Sequence, residues 1–383
     1  MASFDFDPRT RIVFGAGRIA ELGAIARDLG SCRALVVSDA GLVAAGHAEH
    51  GLASLREAGL DTALFDRVHE NPTTADVDLG VAAAREFQPD LLVGLGGGSS
   101  MDCAKGINFL HSCGGRMHDY WGTGKSTGRM LPMIAVPTTA GTGSETQSFA
   151  LISDAETHVK MACGDKRAAC RVALLDPELT VTQPQRVTAL TGLDAMAHAI
   201  ESFVTTRKNP ASLAFSREAW RFLDANLARV LRDPNDLAAR GGMQLGACFA
   251  GLAIENSMLG AAHALANPLT AHYGVPHGQA VAVMLPHVVR YNGTTCERLY
   301  HDLLAITVDD EATPPPEGGA GALAEFYTGL MRLAELPTTL SELGIERSSL
   351  ASLATEAAKQ WTAQFNPRPV GPAELQTLYE AAY

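Results

Sequence analysis

The sequence predicts an α/β fold in its first half and an all-helical fold in its second half. Short apolar, β-branched runs alternate with helical stretches up to about residue 185, and long Ala- and Leu-rich segments with a 3.6-residue period follow. The length of 383 residues exceeds that of one ordinary hydrophobic core. We therefore predict two domains, residues 1–185 and 186–383.

Five apolar runs are the predicted strands of the first domain. They are RIVFG (11–15), RALVVSD (33–39), LLVGLGGG (91–98), LPMIAVPTT (131–139) and RVALLDP (171–177). Helical stretches such as RIAELGAIARDLG separate them, and the strands have few polar positions. This alternation predicts a mostly parallel sheet with helices on both faces.

The second domain is predicted from amphipathic helical segments. SLAFSREAWRFLDANLARVL and SSLASLATEAAKQWTAQF both repeat apolar residues at helical spacing. A Pro- and Gly-rich stretch, TPPPEGGAG (313–321), predicts an exposed loop.

Composition excludes several classes of protein. The net charge is −12 with no basic block, which argues against a nucleic-acid partner. The seven cysteines have irregular spacing and no C-x-x-C pair, so reduced thiols and a cytoplasmic location are expected.

The N-terminus has no apolar stretch of the secretory type. Residues 256–289 lack Asp, Glu, Lys and Arg, but four histidines and three prolines predict buried protein interior rather than a membrane span.

A glycine-rich turn follows the third predicted strand. In LLVGLGGGSSMDCAKGI, three glycines stand between the strand and a helix. Glycines let a ligand approach the backbone, and the helix N-terminus presents free N–H groups, a combination that suits a pyrophosphate. A tight structural turn is the alternative, because Ser99 stands where the third glycine of the usual dinucleotide motif would be.

Two further strand ends carry polar groups. Asp39 ends RALVVSD and is interpreted either as an acceptor for an adenosine ribose, which favours NAD over NADP, or as a helix cap. The loop PTTAGTGSET (137–146) is rich in hydroxyls and glycine, as in ligand-binding loops of open α/β sheets, although a cap and turn would also explain it.

The segment GLDAMAHAIE places an acid and an imidazole on one helix face. Asp194 and His198 are four residues apart, and alone they would be read as a hydrogen-bonded pair. His263 and His277 lie in the uncharged region 256–289. Several imidazoles among small buried residues need a reason, and a shared metal supplies one. One carboxylate with imidazoles suits Fe²⁺, Zn²⁺, Mn²⁺ or Co²⁺. Glu201 falls on the same stripe; a plain helix salt bridge is the favoured interpretation for it, and support of a metal ligand is the alternative.

These segments together resemble the iron-containing (group III) alcohol dehydrogenase family. The resemblance rests on GGGSSMDCAK, PTTAGTGSE, LTGLDAMAHAIE, GAAHALANPL, YGVPHGQAVAVMLPHVVRYN and FNPRPVGPAELQTLYEAAY, in that order along nearly the whole chain. It implies a dehydroquinate synthase-like architecture: a dinucleotide-binding α/β domain, an all-helical metal-binding domain, an active site in the cleft between them, and a homodimer.

The resemblance also implies the site residues. The metal ligands would be Asp194, His198, His263 and His277. The cofactor contacts would be Gly97, Gly98, Ser99 and Asp102 in the first loop, Thr138, Thr139, Thr142 and Ser144 in the second, and Asp39, Asn71 and Lys160 elsewhere. One position departs from many relatives: Asn267 stands where they have a second histidine, four residues after His263. Asparagine does not titrate near neutral pH, so we assign Asn267 to substrate orientation rather than to a proton relay.

The expected function is a metal-dependent hydride transfer between NAD(H) and a small alcohol, aldehyde or ketone whose oxygen is bound to a divalent metal. Iron(II) is the favoured metal, with zinc(II) as the alternative, and NADP is disfavoured. Two other enzymes stay open: a hydroxyacid–oxoacid transhydrogenase of the same family, and a dehydroquinate synthase-like lyase. The lyase is disfavoured because residues 188–204 and 256–289 contain no Lys or Arg to hold a phosphorylated, carboxylated substrate.

Overall fold

A computed structural model describes residues 3–306 and 318–383 and divides them into two compact units. Residues 7–183 form the first, called here the sheet unit, and residues 184–383 together with 3–6 form the second, called the helical unit. The predicted division lay between residues 185 and 186. Residues 313–317 of the predicted Pro/Gly loop lie outside the described ranges.

The sheet unit contains nine strands and five helices of the α type among its described residues. The strands are β1 (Arg11–Phe14), β2 (Arg33–Val37), β3 (Asp61–Phe65), β4 (Leu91–Gly96), β5 (Gly122–Thr123), β6 (Met133–Pro137), β7 (Phe149–Ser153), β8 (Lys160–Gly164) and β9 (Val172–Leu175). The helices are α1 (Leu22–Asp28), α2 (Ala40–Ala44), α3 (His47–Glu57), α4 (Thr74–Phe87) and α5 (Gly98–Cys113).

Six strands form one parallel sheet, which confirms the predicted fold class. Their order is β1-β9-β6-β4-β2-β3, and every neighbouring pair is parallel. Successive strand residues point to opposite faces, so Leu92 joins one apolar core and its neighbours Leu91 and Val93 join another. Both faces are therefore covered, as the apolar strands predict.

Four strands were not predicted from the sequence. The edge strand β3 is half-exposed and carries polar positions, so its apolar signal is weak. The antiparallel pair β7–β8, with β5 beside β8, forms a second, three-stranded sheet. A main-chain bond joins Ser153 N–H of β7 to the Pro72 carbonyl at 2.9 Å, which places this small sheet against the loop before α4.

The helical unit contains eight α-helices among its described residues. They are α6 (Gln185–Val204), α7 (Pro210–Arg232), α8 (Leu237–Glu255), α9 (Ala261–Tyr273), α10 (His277–Leu304), α11 (Ala320–Leu333), α12 (Leu350–Ala357) and α13 (Pro372–Ala381). Buried tyrosines join them: Tyr327 of α11 donates to the Leu193 carbonyl of α6 at 2.9 Å, and Tyr379 of α13 donates to the Leu265 carbonyl of α9 at 2.6 Å.

Helix α6 is buried along almost its whole length. Helix α8 is long and apolar enough to cross a membrane by composition alone, yet 72% of its apolar window is buried inside the protein. It has the burial of a core helix. The residues 256–289, predicted to be interior, include all of α9 and the start of α10, where most side chains are buried.

Candidate metal centre and cofactor loops

Three helices of the helical unit bring the four predicted metal ligands together. Asp194 and His198 lie one turn apart on α6, His263 lies in the first turn of α9, and His277 is the first residue of α10. The Asp194, His198 and His263 side chains are buried, and that of His277 is 26% exposed.

The Asp194 carboxylate is at the centre of this cluster. Its Oδ1 lies 3.6 Å from Nε2 of His198, 3.4 Å from Nε2 of His263 and 4.0 Å from Nε2 of His277. Ligand atoms bound tetrahedrally at about 2.0–2.1 Å are separated by roughly 3.4 Å. Ligand atoms of Asp194, His263 and His277 all lie within 4.8 Å of one another, which is the spacing of a metal-binding set. His198 adjoins this set, with its ring stacked on that of His263 at a centroid distance of 4.8 Å.

Two buried atoms in the cluster lack hydrogen-bond partners. Asp194 Oδ1 and His263 Nε2 are inaccessible to solvent and make no hydrogen bond of ordinary geometry. Buried polar atoms of this kind are rare without a partner, and a cation between them supplies one. The donor set of one carboxylate oxygen and three imidazole nitrogens, without thiolate, fits Fe²⁺ or Zn²⁺.

The protein concentrates negative charge at the cluster. Burial by itself would raise the pKa of the Asp194 carboxyl, but the imidazoles of His198, His263 and His277 hold that pKa well below its usual range. Burial would lower the pKa of His263, yet the carboxylates of Glu201 and Asp194 raise it to about 9. The carboxylate thus stays ionised in a site that favours positive charge.

A second carboxylate orients the His263 ring. Glu201 Oε2 is hydrogen-bonded to His263 Nδ1, and Glu201 Oε1 accepts the Ala262 N–H at 2.8 Å. The favoured interpretation of Glu201 as a plain helix salt bridge is therefore wrong, because its partner lies on another helix. Its contact is with a predicted metal ligand, as in the alternative interpretation. A signal was present: residues 188–204 contain no Lys or Arg to pair with it. A carboxylate bound to the second nitrogen of a metal-ligating histidine sets the ring's tautomer and orientation.

The start of α9 is held from two sides. Asn366 Oδ1 accepts the Ala261 N–H at 3.3 Å, next to the bond that Glu201 makes with Ala262. A Cβ atom on Gly260 would lie only 3.0 Å from Asn366 Oδ1 and 3.0 Å from Glu201 Oε1. The closing segment of the chain thus helps to place His263.

In the sheet unit, the two predicted cofactor loops lie side by side. They follow β4 and β6, which are adjacent parallel strands with Gly96 opposite Pro137. Gly97 is the N-cap of α5, and Gly98 and Ser99 lie in its first turn. A Cβ atom on Gly98 would lie 2.7 Å from Thr142, and one on Gly97 would lie 3.4 Å from Thr139. The Thr138 N–H donates to the Gly96 carbonyl at 3.0 Å. The free N–H groups of α5 therefore open beside the second loop.

A buried lysine ties these loops together, and sequence reasoning missed it. Lys105 Nζ donates to the Ser144 carbonyl at 2.6 Å, to Ser144 Oγ at 2.8 Å and to the Phe149 carbonyl at 2.9 Å. Ser144 Oγ in turn donates to Asp102 Oδ1 at 2.5 Å. Burial raises the pKa of the Asp102 carboxyl despite the nearby Lys105 ammonium. Asp102 and Ser144 thus bond to each other, and their predicted contacts with cofactor stay predictions.

The remaining predicted cofactor residues surround the same helix start. Asp39 Oδ1 accepts the Leu42 N–H at 3.1 Å, so the cap interpretation holds, while its Oδ2 lies 3.5 Å from Ser100 Oγ. Asn71 has a left-handed φ of 54° and donates its N–H to Ser99 Oγ at 3.3 Å. Lys160 begins β8, and its charge offsets part of the rise that burial causes in the pKa of Asp102.

Comparison with known proteins decides the family. A sequence profile of the iron-containing alcohol dehydrogenases matches residues 8–177, and the profile of the C-terminal part of that family matches residues 188–383. The chain belongs to the iron-containing alcohol dehydrogenase family. The predicted family, fold and enzyme class are thereby confirmed, and the transhydrogenase and lyase alternatives are not favoured.

Relatives of this alcohol dehydrogenase match along its whole length. It is 34% identical over 385 residues to the NAD-dependent methanol dehydrogenase of Bacillus methanolicus, covering 100% of both chains. It is 34% identical over 372 residues to the 1,3-propanediol dehydrogenase of Klebsiella pneumoniae, covering 97% of this chain and 96% of the other. The crystal structure of a 1,3-propanediol oxidoreductase superposes with a TM-score of 0.94 at 34% identity, covering 100% of both chains.

Asn267 lies one helical turn after His263 on α9 of this alcohol dehydrogenase. Its Nδ2 donates to Gln360 Oε1 at 2.9 Å, and both side chains are half-buried. The amide oxygen of Asn267 makes no hydrogen bond within residues 3–306 and 318–383. Gln360 follows α12 and was not predicted as a site residue, since 93 residues separate it from its partner.

Proposed function

We propose that this enzyme interconverts a small alcohol and its aldehyde or ketone, with NAD(H) as redox partner. The observation that carries the proposal is the convergence of Asp194, His198, His263 and His277 around one carboxylate oxygen, in a chain of the alcohol dehydrogenase family. We further propose one divalent ion at this centre, iron(II) in preference to zinc(II), as the family name and the thiolate-free ligand set suggest.

When bound, the metal supplies Lewis acidity toward the substrate oxygen, and the nicotinamide carries the hydride. The chain's own residues do the remaining work. Asp194, His198 and His263 are held in place by burial, and His263 also by Glu201, so these ligands need little reorganisation when the centre is occupied.

Asn267 is proposed to orient the substrate. Its amide oxygen is available to accept a hydrogen bond from a substrate hydroxyl, while its Nδ2 is engaged by Gln360. An amide neither gains nor loses a proton near neutral pH, so this residue holds the hydroxyl in place and takes no proton from it.

NAD is favoured over NADP because of Asp39. Its carboxylate lies at the carboxyl end of β2, with Oδ2 near Ser100 in the first turn of α5. An acid at this place accepts hydrogen bonds from ribose hydroxyls and repels a 2′-phosphate. The name of the methanol dehydrogenase relative specifies NAD for that protein, which supports the same choice here.

A short alcohol is the proposed substrate class. The names of two relatives give methanol and 1,3-propanediol as the substrates of those proteins, and a third relative, from Bacillus subtilis, is a choline dehydrogenase. All three are small hydroxyl compounds.

The setting of the enzyme is also proposed. All seven cysteines are free, which supports a reducing, cytoplasmic location. The family resemblance supports a homodimer, and the net charge of −12 supports a partner list without nucleic acid or membrane.

The test is an anaerobic preparation assayed for bound metal and for absorbance change at 340 nm. NAD and NADP are each tried with a panel of short alcohols and aldehydes, using wild type, His263→Ala and His272→Ala. His272 is the matched control, since it lies on the same helix but pairs with Glu356. We expect metal-dependent turnover with NAD in wild type and His272→Ala, and none in His263→Ala. Bound metal without turnover on any member of the panel would reject the proposal.

A further inference from the structure

A basic cavity lies in the sheet unit at the amino ends of three parallel strands. It has a volume of about 270 Å³. Its lining comes from the residues just before β1, β6 and β9, whose starts lie side by side in the sheet. The cofactor loops leave the opposite, carboxyl ends of the sheet, roughly 15 Å away for strands of this length. The cavity is thus separate from the predicted nucleotide site.

Five of the ten lining residues are cationic, and none is acidic. The basic residues are Arg9, Arg129, Lys166, Arg167 and Arg171. This cluster of cations contrasts with the net charge of −12 of the whole chain. Five like charges close together also repel one another, which is unfavourable without a counter-ion. Uncharged side chains, including Leu29 and Pro132, complete the wall.

Two of the five cations already have partners. Arg9 pairs with Asp7 at 2.6 Å. Arg167 lies 3.6 Å from Asp165 and donates to the Ser126 carbonyl at 3.0 Å, so it holds the preceding loop. These contacts neutralise part of the charge and fix the cavity's edge.

The other three have no side-chain partner. Within the described ranges, the side chains of Arg129, Lys166 and Arg171 make no ion pair and no hydrogen bond. All three are exposed at the cavity. Their mutual repulsion is relieved when an anion binds between them.

We propose that this cavity binds a small multivalent phosphate. Guanidinium groups match the oxygens of phosphate with paired N–H donors, and four of the five cations are arginines. The volume lies below the usual 300–1,000 Å³ of drug-sized ligand pockets, which favours a compact anion. The ligand is a free polyvalent phosphate, and the site is a second site, independent of dinucleotide binding.

The test uses inorganic pyrophosphate as the probe and calorimetry at constant ionic strength. Saturating NAD is present throughout, so that the predicted pyrophosphate-binding loop is occupied. The variant Arg129→Gln/Arg171→Gln removes two unpartnered cations. The matched control, Arg85→Gln/Arg116→Gln, removes two exposed arginines of the same unit that do not line the cavity.

We expect wild type and the control to bind pyrophosphate alike and the cavity variant to bind at least tenfold more weakly. Lys166→Gln, a single change of an exposed residue, should weaken binding in the same direction. Sulfate, with lower valence, should bind more weakly than pyrophosphate.

Three outcomes would overturn the proposal. The first is no binding of pyrophosphate by wild type, and the second is equal binding by wild type and the cavity variant. The third is an equal loss of binding in the control variant, because that would mean that pyrophosphate responds only to diffuse surface charge. A change of sedimentation in the cavity variant, without probe binding to wild type, would instead assign this face to contact between copies of the chain.

Discussion

Single residues around the metal ligands determine how well the centre is formed. Asp194 and His263 carry buried atoms without a hydrogen-bond partner, which a cation between them would satisfy, while Glu201 and Asn366 hold the backbone beside them. The ligands are thus supported by residues that do not touch the metal, and changes at those residues test the arrangement.

Glu201→Gln should lower metal affinity about 10–100-fold. A glutamine has one oxygen, so it cannot accept from both Ala262 N–H and His263 Nδ1–H as Glu201 does. Metal content is measured after dialysis against a series of buffered metal concentrations. Asp224→Asn serves as the control, because Asp224 is a half-buried acid of the same unit with no contact to the ligands. Equal affinity in Glu201→Gln and wild type would contradict the assigned role.

Asn267→Ala should reduce turnover about fivefold while leaving metal content unchanged. A single neutral hydrogen bond contributes about 1 kcal/mol, and each 1.36 kcal/mol in the barrier changes a rate tenfold. The steady-state rate and bound metal are measured on the same preparation. Gln360→Ala, which frees the Asn267 amide, should give a smaller loss in the same direction. Unchanged turnover in Asn267→Ala would refute substrate orientation by this residue.

At the scale of elements, close helix packing positions the ligands. Gly278 follows His277 at the start of α10 and faces α6, which carries Asp194. A Cβ atom on Gly278 would lie 2.4 Å from the Leu190 carbonyl oxygen, which belongs to the backbone of α6. The two helices can therefore approach this closely only with glycine at that position.

Gly278→Ala should destabilise the protein by about 1–3 kcal/mol and reduce its metal content, because α10 must move away from α6. Urea unfolding and metal analysis give the two readouts. Gly329→Ala is the matched control: Gly329 is also helical, but no described atom outside its own helix turn lies within 4 Å of the place a Cβ would take, so up to about 1 kcal/mol of stabilisation is expected. Wild-type stability and metal content in Gly278→Ala would exclude the close approach.

The elements differ in how far the sequence predicts them. Central strands such as β4 are buried at every position, so a continuous apolar run identifies them. The edge strand β3 is buried only at its last residue, and the hairpin β7–β8 is buried mainly at alternate positions, so neither presents a continuous apolar run. The ligand histidines are predicted from the resemblance of their segments to the family motifs. The roles of Lys105, Glu201 and Gln360 are harder to predict from the sequence, because their partners are distant along the chain and only the fold brings them together.

For the whole molecule, the placement of all four ligands in one unit has a thermodynamic effect. A metal that binds only the folded state stabilises it, by about 4 kcal/mol when its free concentration is a thousandfold above Kd. Removing the metal with a chelator should therefore loosen the helical unit first. Hydrogen exchange should speed up in α6, α9 and α10 and stay unchanged in β4 and β6. Chelator should have no further effect on His263→Ala. Uniform loss of protection in both units would contradict this expectation.

Stability should also depend on pH through Glu145 in the second cofactor loop. Burial raises the pKa of this carboxyl to about 7, and Lys105 offsets only part of that rise. Between the ordinary pKa of 4.5 and about 7, the folded state holds a proton that the unfolded state releases. The free energy of unfolding therefore falls as pH rises through this range, by an amount on the order of 3 kcal/mol.

Glu145→Gln should remove this decline, since an amide does not titrate. The decline is measured by urea unfolding at steps between pH 4 and pH 8. Glu57→Gln, which changes an exposed residue of the same unit, is the control. A decline of equal size in Glu145→Gln and wild type would assign the dependence to other groups.

The first described residues of the chain pack with its last half. The Phe6 ring lies 5.8 Å from that of Phe215 on α7, although the whole sheet unit separates them along the sequence. A gene divided at codon 183 would consequently produce an amino-terminal fragment that carries a residue which packs on the surface of the other fragment. Two separately synthesised halves would then reassemble fully only if this N-terminal segment bound the C-terminal fragment. The boundary between the units is therefore a poor position at which to exchange domains between genes.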